Sequence, residues 1–97
     1  VSCTISGITA RMISRFRPPI DIMALTPYES TRRKLALSWG VTPLIATEMN
    51  ATDQLLDMAQ RVATEQCGLK SGDRIVITGG MTNAISGNTN VLKTACI

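Results

Sequence analysis

Val1-Ser2-Cys3-Thr4-Ile5-Ser6-Gly7-Ile8-Thr9, followed by Ala10-Arg11-Met12-Ile13-Ser14-Arg15-Phe16-Arg17-Pro18-Pro19, holds the reading that decides the fold. Val1 to Thr4 reads as a short strand that runs directly into a Ser-Gly turn. From Ile8 the spacing changes: Ile8, Met12, Ile13 and Phe16 recur at helical intervals with Arg11, Ser14 and Arg15 between them, which predicts an amphipathic helix over 8–16. Pro18-Pro19 ends it, because proline lacks the N–H a helix needs and restricts the residue before it. A strand, a tight hydroxyl-rich turn and a helix in immediate succession are the first unit of an α/β fold.

Working outward, Ile20 to Leu25 is apolar apart from Asp21 and reads as a strand. Thr26-Pro27-Tyr28-Glu29 then has the pattern of a capping box with proline at the first helical position. That predicts a helix from Pro27 to Trp39, with Gly40 at the left-handed position that follows a helix end. Val41 to Ala46 returns to strand, and Pro43 removes a ladder donor, so this strand belongs at a sheet edge. Leu55, Met58, Ala59, Val62 and Ala63 form an apolar stripe at i, i+3, i+4 and i+7, with Asn50 or Thr52 as N-cap and Gly68 as the stop. Leu69 to Asp73 is a turn, Arg74 to Thr78 a buried strand ending in Gly79-Gly80, and Met81 to Thr89 a polar loop. Asn90 to Ile97 closes the chain as a strand that follows its predecessor too soon for a helical crossover, so the two pair antiparallel.

The resulting string is β-α-β-α-β-α-β-β: a three-layer α/β/α sandwich on a five-stranded mixed sheet, order 3-2-1-4-5, with the last strand antiparallel. The edge position required by Pro43 agrees with that order. The chain begins within an element, which carries the expectation that the domain's N-terminal edge is truncated.

Composition sets the function classes. The chain has 97 residues, enough for one domain with one core, and is 44% hydrophobic and 18% charged, as an ordered globular unit is. Its net charge of +3 is scattered, and its three aromatics supply no stacking platform, so nucleic acid is not an expected partner. Cys3, Cys67 and Cys96 form no C-x-x-C pair and there is no histidine, so no metal site is expected. The odd cysteine count, without a secretory signal, leads us to expect a reducing, cytoplasmic setting with the thiols as small buried hydrophobes. No apolar run reaches the length needed to cross a bilayer, so no membrane partner is expected.

The same accounting leaves no catalytic residues to name: histidine, a Cys-His pair, a phosphate-loop lysine motif and a convincing carboxylate pair are all missing. What remains is a binding site. In an open α/β sheet the ligand crevice lies beyond the carboxyl ends of the strands where the winding reverses, here between the first and fourth strands. Thr4-Ile5-Ser6-Gly7-Ile8-Thr9 sits there, with hydroxyls around a glycine at a helix start, the chemistry that suits phosphate oxygens. The alternative is that Thr4 or Ser6 merely caps the helix. Gly79-Gly80 with Ser86-Gly87-Asn88-Thr89 converges on the same crevice, or is only a turn-rich connection. Arg32-Arg33-Lys34 is a solvated helix face or a hold on a second anion. Trp39 is core or interface.

The string SGITARMISRFRPPIDIMALTPYESTRRKLALSWGVTPLI over 6–45 resembles the pyruvate kinase C-terminal α/β domain, whose members run Ser-Gly-x-Thr/Ser-Ala-Arg, an apolar helix and then Arg-Pro. LKSGDRIVITGG over 69–80 and SGNTNVLKTACI over 86–97 resemble that family's Gly-Asp strand and closing segment. Nearly the whole chain is covered, in order. The resemblance implies a regulatory domain: effector phosphate on Thr4, Ser6, Gly7, Ile8 and Thr9, with Gly79, Gly80, Gly87 and Thr89 in a loop closing over a sugar. It implies a sugar phosphate or nucleoside monophosphate as partner. Ile8 departs from the family, where a basic or hydroxylated residue is common, and leaves backbone donors in its place. The resemblance further implies a parent glycolytic enzyme that transfers phosphate from phosphoenolpyruvate to ADP in a separate (β/α)₈ barrel holding Mg²⁺ and K⁺. It also implies a homotetramer with the last strand, Val91 to Ile97, near a two-fold contact. An exposed sheet edge there makes self-association physically sensible.

Overall fold

The computed structural model describes residues 1–46, 52–79 and 91–97, the helical residues 52–56 by their backbone only. The elements in chain order are β1 (Ser2–Cys3), α1 (Ile8–Arg15), β2 (Ile22–Thr26), α2 (Glu29–Leu35), β3 (Val41–Ile45), α3 (Thr52–Cys67), β4 (Arg74–Gly79) and β5 (Val91–Cys96). They form one five-stranded sheet ordered β3-β2-β1-β4-β5. The first four strands run parallel, and β5 pairs antiparallel with β4 from Arg74 opposite Cys96 to Gly79 opposite Val91. The sequence-derived order and the antiparallel closure both hold, and β3, with Pro43 opposite Ala24, is an edge strand as a missing ladder donor requires.

Alternation along the central strands separates the two faces of the sheet. Cys3, Met23, Leu25, Ile75 and Ile77 point to one side and pack with Met58, Ala59 and Ala63 of α3. Ala24 points to the other and packs with Ala10 of α1 and Leu35 of α2. β2 is buried along its whole length, the pattern of a strand covered on both faces. At roughly 25 cal/mol per Å² of apolar surface removed from water, these two clusters are the main favourable term in folding.

The helices differ from expectation in instructive ways. α1 buries Ala10 and Ser14, while Ile8, Met12 and Phe16 are 39%, 53% and 84% exposed. The apolar stripe read from the spacing is therefore the outer face, and small residues let the helix lie close on the sheet. α2 is shorter than the predicted 27–39. Its N-cap is Tyr28 in extended conformation with no side-chain cap, so the capping box does not form: Thr26 is the last residue of β2 and Glu29 turns to Arg32 and Arg33. The helix tightens after Leu35, where the amides of Leu37 and Ser38 bond three residues back to Lys34 and Leu35, and Gly40 takes a φ of 68°. In α3 the stripe holds, with Met58, Ala59 and Ala63 buried; Asn50 lies outside the described residues.

Two cysteine expectations are corrected. Cys3 is buried, but Cys67 and Cys96 are exposed, because Cys67 is the last residue of α3 and Cys96 lies on the edge strand. Among the described residues no helix is long and apolar enough to cross a membrane.

Candidate functional site

The Thr4–Thr9 loop is built by the strand before it and the helix after it. β1 ends at Cys3, and the Thr4 amide still donates to Leu25 O at 2.8 Å, so the loop leaves the sheet from a fixed point. The Thr4 hydroxyl accepts the Gly7 N–H at 2.9 Å, which closes a four-residue turn. Gly7 occupies the left-handed region at φ 88°, which an L side chain adopts only at a cost. Its carbonyl receives the Arg11 amide at 3.0 Å, the first bond of α1.

The N-cap of α1 is Gly7, which has no side chain to bond the first-turn amides. The Thr4 hydroxyl bonds the amide of the N-cap residue itself, so Thr4 serves the helix start, whose positive end opens on the loop. Thr4 and Gly7 are buried while Ile5, Ser6 and Thr9 are half-buried. Ile8, at 39% exposure, projects outward at the start of α1.

The switch point lies where the sequence placed it. α1 and α2 take β1, β2 and β3 in one direction, and α3 then carries the chain to β4 on the other side of β1. Ser2 pairs with Thr78, which brings the carboxyl ends of β1 and β4 to the same end of the sheet. Gly79 is there as the last residue of β4, buried and paired with Val91, rather than in a loop beyond the strand. Gly80, Gly87, Thr89 and the rest of the polar loop lie outside the described residues.

Two side chains that the sequence reading did not single out complete the loop's support. Thr31 of α2 donates its hydroxyl to Ile5 O at 2.8 Å, and Thr26 at the end of β2 reaches the same carbonyl at 3.4 Å. Both threonines are buried, at 7% and 0% exposure. The signal was present: Thr31 stands four residues before Leu35, on the face of α2 that meets the sheet, and a buried polar residue there requires a partner.

The basic run divides differently. Arg32 and Arg33 both pair with Glu29 one turn earlier on α2, and the hydrogen bond from Arg32 is the main reason the Glu29 carboxyl titrates below its ordinary value. Their side chains are 38% and 75% exposed, the solvated face of a helix. Trp39 is about half exposed with the Arg17 guanidinium 5.6 Å over its ring, a surface position and not a core one.

A second concavity, of about 510 Å³, is lined by Ile13, Ile22 and Val76, by Ala63 and Cys67 of α3, and by the hydroxyl residues Ser2 and Thr78. The hydroxyls of Ser2 and Thr78 are buried without a partner. There the two hydroxyls stand among mainly apolar residues, whereas the loop joins a left-handed glycine, a hydroxyl and a helix start.

Comparison with known proteins agrees with this architecture. The family model of the pyruvate kinase alpha/beta domain matches residues 1–95. The chain is 40% identical to a pyruvate kinase of Clostridium acetobutylicum over 93 residues, 96% of this chain and 20% of that protein. It is 44% identical to a pyruvate kinase of Staphylococcus epidermidis, again over 96% of this chain but 16% of the relative. The chain thus spans a fifth or less of the length of the curated relatives it matches, and by the match over nearly all of its length it belongs to the pyruvate kinase alpha/beta domain family.

Proposed function

We propose that this domain senses a phosphorylated metabolite, a sugar phosphate or a nucleoside monophosphate, through the Thr4–Thr9 loop, and carries out no chemistry of its own. The observation that carries the reading is the loop itself: a left-handed glycine at a helix start, held by the buried Thr4 hydroxyl, at the switch point of the sheet. Backbone amides and the helix dipole would take the phosphate charge, with Thr4, Ser6 and Thr9 adding hydroxyls. Ile8, exposed and apolar, contributes no charge to that set.

In a parent protein of its relatives' size, the domain would regulate a barrel that moves phosphate from phosphoenolpyruvate to ADP in glycolysis, in the cytoplasm. The Mg²⁺ and K⁺ of that reaction would be held in the barrel. Among the described residues here, no group of three acidic or thiol side chains gathers that could hold a metal ion.

The direct test is thermal stability of the chain with fructose 1,6-bisphosphate, AMP, ribose 5-phosphate and glucose 6-phosphate. Saturable stabilisation by one of them, lost in Ser6→Asp where a carboxylate would repel the phosphate, supports the reading. Indifference to all four overturns it. A second reading, an interaction module with a vestigial loop, is favoured by β5, which lies at the sheet edge with Leu92 73% exposed.

A further inference from the structure

The loop does not hold its shape alone. Its central carbonyl, Ile5 O, is turned inward and takes the Thr31 hydroxyl from α2 at 2.8 Å. Beside that bond, the methyl of Thr31 and the end of Leu35, both on the same helix, would lie 3.4 and 3.0 Å from a Cβ on Gly7. α2 is thus in contact with the loop at its carbonyl and at its glycine. Beyond α2, in the turn that follows it, Trp39 O accepts the Ser14 hydroxyl of α1 at 2.5 Å, and Arg17, just past α1, lies over the Trp39 ring.

We propose that Thr31 is a positioning residue for the loop, and that α2, bonded to the loop through Thr31 and followed by a turn that Ser14 of α1 holds, passes a change in loop shape to Trp39. The proposal rests on the sensing role above for its purpose but not for its geometry. Without the Thr31 hydroxyl, Ile5 O would keep the longer bond from Thr26 at 3.4 Å, too weak to hold it inward, so it would turn outward and Ser6 and Gly7, which follow it, would turn with it. The amides that would face a phosphate would no longer converge. At the far end Trp39, in the turn after α2, is bonded to Ser14 of α1, so a shift between α1 and α2 alters the surroundings of the ring. Because this chain has one tryptophan, its fluorescence reports that end alone.

The experiment compares the wild-type chain with Thr31→Val, which keeps the shape and removes the hydroxyl, and Thr31→Ser, which restores it. Amide hydrogen exchange of residues 5–9 is read with and without inorganic phosphate, alongside Trp39 emission. Loss of one buried hydrogen bond should speed exchange over 5–9 by roughly three- to tenfold in Thr31→Val, with Thr31→Ser within about twofold of wild type by the same reasoning. Trp39 emission should shift in Thr31→Val and recover in Thr31→Ser. Unchanged exchange in folded Thr31→Val overturns the positioning role; loosened exchange with unmoved Trp39 emission overturns the transmission. If Thr31→Val loosens the loop but phosphate protects neither variant nor wild type, the clamp stands and the sensing role fails. Should Thr31→Val not fold, Ser14→Ala serves at the other end: emission unaltered there, with exchange over 5–9 also unaltered, overturns the coupling.

Discussion

The Thr4 hydroxyl accepts the amide of Gly7 at 2.9 Å, and this bond sets the turn between the first strand and the first helix. Thr4 is 6% exposed, so its removal strands a buried N–H instead of returning it to water. Thr4→Val should cost about 1–3 kcal/mol, the penalty of an unpaired buried donor, whereas Thr4→Ser should lose about 1 kcal/mol or less, for a methyl alone. Urea denaturation of the three proteins decides it: equal midpoints for wild type and Thr4→Val would show that the bond carries nothing.

Gly7→Ala should be more damaging than its size suggests. At φ 88° an L residue is strained by about 1–2 kcal/mol, and the new Cβ would come within 3.0 Å of Leu35 Cδ2, an overpacking of about 1–3 kcal/mol. The second contribution depends on Leu35, so a cycle with Leu35→Ala separates the two. The double variant should be more stable than the sum of the single losses predicts; strict additivity would leave backbone strain as the sole cost.

How much of this was legible beforehand follows from which signals are local. Pro43 at an edge and the short link before β5 are local constraints, and with the first strand central, as in doubly wound sheets, they agree with the observed strand order. The face of α1 was not legible, since periodicity shows that Ile8, Met12 and Phe16 share a side but not which side meets the sheet. Ala10 and Ser14 won because β2 presents Ala24 to that helix, and two small surfaces pack at close range. The capping box failed for a similar reason. Thr26 was claimed by the sheet, where it is fully buried, and its hydroxyl serves Ile5 O and the Tyr28 amide. Thr4 and Gly7 were readable from the loop itself, whereas Thr31, 26 residues further along the chain from Ile5, becomes part of the site only through the fold.

Burial of Cys3 makes stability fall in alkali. Desolvation raises its thiol from an ordinary 9.0 to about 11, against a smaller opposing pull from the terminal ammonium. Below pH 9 both folded and unfolded chains keep the proton and the thiol is silent. From there to pH 11 the unfolded chain releases it while the folded chain retains it, so stability drops with rising pH by up to about 2–3 kcal/mol. Denaturation at pH 8 and pH 10.5 should show this slope in wild type and lose it in Cys3→Ala, whatever the baseline cost of that substitution. An identical slope in both would place its origin elsewhere.

The edge strand supplies the last prediction. Among the described residues β5 pairs only with β4, and its exposed residues, Leu92, Lys93, Thr94 and Cys96, include one large apolar side chain at 73% exposure. A row of backbone donors and acceptors beside an exposed leucine invites a second copy, while the lysine already there disfavours stray pairing. If the interaction reading is right, sedimentation velocity at rising concentration should show a dimer. Leu92→Lys together with Thr94→Lys should shift the population to monomer without lowering the melting temperature of the fold by more than a few degrees, since both side chains face solvent. A wild-type chain that stays monomeric at high concentration, or a dimer that the paired lysines leave intact, would remove β5 as the contact.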